Sequence, residues 1–196
     1  MQRSNFWFII AGITSASLLA GNTRAKDQDA DFIRPIKTGD PLIYGVKNGI
    51  VVAIHAFGLN ARPEGGPRGL IRVGYQADGK YHLINFIAVE PLVGSAQGFS
   101  ELERGGDGQL GNRFWVADSL DDGGVGNMGN VAGRIQETPA GRVLSFVPHI
   151  DPFAVGARPA VEVSLLEKFP NRVRFRTFSD SGGVDMERCV LTATMG

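Results

Sequence analysis

Two glutamates, Glu101 and Glu103, stand two positions apart after an apolar run. On a β-strand such a pair shares a face, with backbone positions about 6.6 Å apart. That separation suits the paired carboxylates of glycoside cleavage, which work at roughly 5 to 9.5 Å. Glu90 and His82 lie in the same stretch, YHLINFIAVEPLVGSAQGFSELE from Tyr81 to Glu103, and either is an alternative general base. They cannot serve each other, because a straight strand would hold them about 26 Å apart. The simpler reading of Glu101 and Glu103 is a solvated strand edge with Leu102 turned inward and both charges in water. Glu90 reads either as a ligand for substrate or metal, or as the point where an apolar strand reaches solvent.

The candidate binding residues are aromatic and cationic. Arg113 and Trp115 sit in RFWVAD, between two loops rich in Gly and Asp. Trp115 is a sugar platform or a core tryptophan, and Tyr81 is a further stacking surface. Arg172, Arg174 and Arg176 alternate with Val173, Phe175 and Thr177, which places three guanidinium groups on one strand face around Arg174. Guanidinium binds carboxylate or sulfate through two parallel hydrogen bonds, so the stripe fits an anionic glycan. It equally fits a solvated face paired across a hairpin with Glu162 or Glu167.

For metals, Asp118, Asp121 and Asp122 share the loop DSLDDGGVGNMGN, with Asp107 in the preceding one. Hard oxygen ligands on such loops suit Ca²⁺, although the spacing is not that of an EF-hand. The same residues also shape Asx-turns without any ion. His55, His82 and His149 with Glu90 are zinc-type ligands by residue type, but no HxH or HExxH spacing joins them.

These residues need a scaffold, and the pattern supplies strands. Leu42 to Val46 and Ile50 to His55 flank Asn48-Gly49, a hairpin signal that predicts a type I′ turn with both residues at positive φ. Leu70 to Tyr75 pairs with Lys80 to Val89 across Gln76 to Gly79. Pro91 then ends that strand, a turn covers Gly94 to Gly98, and a strand resumes at Phe99. Further strands are expected at Arg113 to Ala117, Val131 to Gln136 with Arg142 to Val147, Ala160 to Glu167 with Arg172 to Phe178, and Met186 to Met195. Roughly ten strands without a helical apolar period argue for an all-β, antiparallel β-sandwich, of jelly-roll or supersandwich type, or a barrel. The chain stops inside an apolar strand pattern, CVLTATMG, as would a sheet completed by residues further on.

Compartment and partners follow from the ends and the charge. Residues 1–25 have a short basic start, an apolar stretch from Phe6 to Ala20 and small residues at the close, the pattern of a secretory signal peptide. Residues 26–39 then read as a polar linker and 40–196 as one domain. The lone cysteine, Cys189, reads as a buried small hydrophobe. With a net charge of zero and a pI near 6.8, no basic field draws nucleic acid. The expectation is a periplasmic or secreted protein that binds or processes a carbohydrate, with an anionic polysaccharide among its candidates. If it is an enzyme, it is of glycoside hydrolase or polysaccharide lyase type. The alternative is a non-catalytic structural or assembly domain of the bacterial cell envelope.

Overall fold

A computed structural model describes residues 5–9, 31–35, 41–55, 70–104, 110–116 and 131–195. The strands begin with β1 (Asn5–Ile9), β2 (Phe32–Ile33), β3 (Leu42–Val46) and β4 (Ile50–His55). Next come β5 (Leu70–Ala77), β6 (Lys80–Val93), β7 (Ala96–Gln97) and β8 (Phe114–Trp115). The series closes with β9 (Arg134–Thr138), β10 (Gly141–Phe146), β11 (His149–Ile150), β12 (Pro159–Leu166), β13 (Arg172–Ser179) and β14 (Arg188–Met195). One antiparallel sheet runs β1-β13-β12-β10-β9, with β11 joining β12 to β8. The other runs β14-β6-β5-β4-β3-β2, with β7 beside β6. Together they form an all-β sandwich.

Turn chemistry explains the hairpins. Asp78 and Gly79 both take positive φ, 51° and 72°, the requirement of the two-residue turn that joins β5 to β6. At the β3–β4 turn only Asn48 does so, at 54°. Gly49 is needed there for a different reason: a Cβ on it would lie 2.5 Å from the Pro170 carbonyl oxygen. Pro91 does not end β6, which continues to Val93. Past the end of β5, the Gly98 N–H donates to the Pro91 carbonyl. The nitrogen of Pro91 points to that same side, where no ladder donor is demanded.

The core lies between the sheets and mixes Val52, Ile54, Ile71, Ile87 and Val89 with Phe114, Leu144, Val163 and Phe175. Tyr44 is fully buried, stacks on Phe146 with ring centroids 3.6 Å apart, and donates its hydroxyl hydrogen bond to the Val131 carbonyl. Burial pushes its phenol above the usual range. The fold reaches back before Asp40, because Phe32 is 3 % exposed within the core and Ile33 pairs with Gly45. Arg142 holds that segment, 3.2 Å from the Asp31 carboxylate and 5.4 Å from the Phe32 ring centroid. Asn5–Ile9, inside the expected signal peptide, pairs with Arg172 to Arg176 of β13.

Cys189 is buried, as expected of a small hydrophobe, and burial pushes its thiol up to about 12 against hydrogen bonds involving the Glu90 backbone and the Thr177 side chain. Native protein at pH 8 should therefore resist iodoacetamide for hours, while protein in denaturant reacts within minutes. Because the folded thiol titrates above the unfolded one, its stabilising effect is complete below about pH 9. That effect is lost as pH rises toward 12.

Candidate functional site

Among the described residues, hairpin turns and strand ends line a cavity of about 520 Å³. It lies in the size range of small-molecule sites. Its origin is a β-bulge. Val73 pairs with Asn85, but Gly74 pairs with Leu83, which leaves Ile84 as the extra residue. A Cβ at Gly74 would sit 1.8 Å from the His82 carbonyl oxygen, so only glycine permits this close approach. The bulge puts Tyr75 opposite His82, and their rings stack at 4.8 Å with planes 16° apart. Tyr75 is left 44 % exposed at the cavity.

Two turns from opposite sheets complete the walls. The Ile50 N–H donates to Pro170 O at 2.7 Å, tying the β3–β4 turn to the β12–β13 turn. The Gln76 N–H donates to Gly49 O at 2.8 Å, and the Asn48 N–H to Gln76 Oε1 at 3.1 Å. Among the described residues, the lining therefore combines Ile50, Val73, Tyr75 and Ile84 with four carboxamides, Asn48, Gln76, Asn85 and Asn171, and no ionisable side chain other than the tyrosine phenol. Asn85 Oδ1 is buried without a hydrogen-bond partner.

The residues singled out from sequence are scattered around this site. His82 and Tyr81 are exposed on β6, but the bulge breaks the simple alternation, so His82 shares the Tyr75 row and Tyr81 the Gln76 row. Glu90 is half-buried and accepts a hydrogen bond from Gln97 Nε2 at 2.9 Å. Glu101 and Glu103 do not lie on a strand. They sit on a turn closed by Leu102 and Glu103 N–H bonds to Phe99 O, so the common strand face expected for them is absent. Glu103 accepts from the Ala154 N–H at 3.1 Å, and Glu101 from Ser100 Oγ at 3.4 Å.

Trp115 is 2 % exposed, which removes it as a sugar platform. It is instead the centre of a polar stack, with Arg113 5.4 Å above its ring and His149 parallel at 6.0 Å. Arg113 pairs with Asp151 at 3.3 Å, and His149 Nδ1 lies 2.7 Å from Asp180 Oδ2. Sequence reading missed both acidic partners. Arg174 lies on β13 opposite Ser164, while Arg176 pairs with Glu162 at 2.6 Å and Arg172 covers the Phe169 ring at 4.8 Å. Asp107, Asp118, Asp121 and Asp122 lie outside the described residues. Among the described residues no group of three His, Cys, Asp or Glu is placed to hold a metal, and no helix is long and apolar enough to cross a membrane.

The cavity residues carried a weaker signal. Gly74 inside a strand pattern is a mark of a bulge, whereas Asn48 and Asn171 read only as turn formers. Comparison with protein-family models, with curated proteins and with solved structures gives no match to this chain.

Proposed function

We propose that the protein is an exported, non-catalytic carbohydrate-binding sandwich whose ligand is a neutral sugar. The observation that carries this is the lining of the cavity at the bulge: one exposed aromatic face, an apolar wall, four carboxamides and, among the described residues, no acidic or basic side chain. A sugar ring presents an apolar face for stacking on Tyr75 and a rim of hydroxyls that both donate and accept, the pairing that carboxamides offer. Asn85 Oδ1 supports a polar ligand too. An unpaired buried amide oxygen costs about 1–3 kcal/mol, and the soft terminal torsion of asparagine lets it turn toward a donor.

The uncharged lining favours neutral over uronic or sulfated glycans, and in this reading the arginine stripe of β13 is structural, laced to Glu162. Catalysis loses its support because Glu90, Glu101 and Glu103 are absent from the lining and each is engaged elsewhere. Export rests on the leader pattern of residues 1–25.

The test is a melting panel of neutral, uronic and sulfated oligosaccharides, each with and without Ca²⁺, followed by calorimetry on Tyr75→Ala. A saturating neutral ligand at 100 times its Kd should add about 2.7 kcal/mol. Tyr75→Ala should weaken it roughly 10- to 30-fold, which is about 1.4–2 kcal/mol. The unliganded melting temperature should move by no more than about 2 °C, since the ring is half in water. Glu101→Gln and Glu103→Gln should leave affinity unchanged. Shifts confined to anionic glycans, or binding indifferent to Tyr75, would sink the proposal.

A further inference from the structure

We propose that the outer edge of β13 is a strand-acceptor site, filled in cis by Asn5–Ile9 and able to take an aromatic peptide strand in trans once that segment is detached. This edge shares no residue with the cavity lined by Asn48, Tyr75 and Asn85.

The occupant is visible in the register. Among the described residues β1 pairs with β13 alone, antiparallel, with Phe6 opposite Phe175, Trp7 opposite Arg174 and Phe8 opposite Val173. Val173 and Phe175 belong to the buried core, so an added strand places alternate residues in core rows and the others in arginine rows. An aromatic strand suits both, since the first rows reward apolar area and the second reward a ring beside a guanidinium. The main-chain ladder supplies the remaining attraction, as in other cases of strand addition to a sheet edge.

The alternative occupant, a second copy of β13, is opposed by charge. A continuous antiparallel sheet requires residues of the same face to stand opposite each other. The fully overlapped register, centred on Arg174, therefore sets Arg172, Arg174 and Arg176 against the same three residues of the copy. Like charges directly opposite are destabilising, a common device against edge-to-edge association. The full overlap of two β13 edges is thus disfavoured by charge, whereas a foreign strand without such a stripe meets no like-charge row. Between Ile9 and the next described residue, Asp31, lie the 21 residues 10–30. A fully extended chain of that length spans at most about 70 Å. If residues 1–25 are removed on export, the acceptor edge is vacant in the exported form.

To test this, a protease site is placed within residues 10–30 of the full chain, the folded protein is cut, and a fluorescent peptide of residues 2–12 is titrated in. The expected result is saturable one-to-one binding to cut protein, and binding to uncut protein at least ten-fold weaker because the tethered segment competes at high effective concentration. A peptide with Phe6→Pro and Trp7→Pro should bind at least ten-fold more weakly. Neighbouring residues in a strand point their N–H groups to opposite sides, so one of the two prolines must remove a ladder donor. A cut fragment that stays bound in native mass spectrometry also supports the site. Equal binding of the proline peptide, no binding after the fragment has left, dimerisation of cut protein, or unfolding on release would each overturn it.

Discussion

Replacing Tyr44 with alanine is expected to lower the melting temperature by roughly 8 to 16 °C, the equivalent of about 4 kcal/mol for a domain of this size. The side chain is fully buried between the sheets, with its ring on Phe146 and its hydroxyl on the Val131 carbonyl. Deleting it opens a cavity the size of an aromatic ring and also strands that carbonyl. Tyr44→Phe separates the two contributions, because it keeps the ring and removes only the hydrogen bond. It should cost about 1–2 kcal/mol. Thermal or urea unfolding of both variants checks the pair, and a Tyr44→Ala loss below about 2 kcal/mol would mean that the two sheets are held together elsewhere.

The second large effect belongs to Gly74→Ala. One methyl group there would meet main-chain atoms, His82 O at 1.8 Å and His82 C at 2.7 Å. A backbone neighbour cannot rotate away as a side chain can, so the bulge itself must shift. The expected loss is about 3 kcal/mol, near the upper end for overpacking, together with loss of the proposed glycan binding as Tyr75 and His82 fall out of register. Gly79→Ala is the control. Gly79 has φ of +72° but nothing within 4 Å of its Cβ position, so it should cost only about 1 kcal/mol of backbone strain and leave binding intact. Equal behaviour of the two variants in calorimetry and melting would remove the bulge as the organiser of the site.

Strand positions were legible where local pattern and tertiary demand agree. Leu42 to Val46 and Ile50 to His55 match β3 and β4, because two short apolar runs around Asn-Gly have one good solution. Turn type was less legible: the doubly positive turn belongs to Asp78-Gly79, while Gly49 answers to Pro170, a neighbour far along the chain. Pro91 misled for a related reason, since a proline nitrogen is tolerated wherever a strand outruns its neighbour. Glu101 and Glu103 failed as a strand pair because Phe99 accepts two N–H bonds and curls the segment into a turn. Of the cavity, only the bulge at Gly74 left a local mark. Its walls come from separate hairpins of both sheets, and nothing in the local pattern of Asn171 says that it will stand near Tyr75.

The bond from Ile50 N–H to Pro170 O joins residues 120 positions apart in sequence (170 − 50). Such contacts form only after the intervening chain has been gathered, so folding dominated by them is slow. The cavity mouth should therefore appear in the last phase of refolding, well after the β5–β6 hairpin, whose partners are close in sequence. By the same logic it belongs to the part of the molecule whose amides exchange with solvent first when the native state breathes. A ligand seated there would act as a latch on that breathing, slowing exchange at Ile50 and Gln76 while leaving β8 and β11, beside the opposite end of β12, untouched.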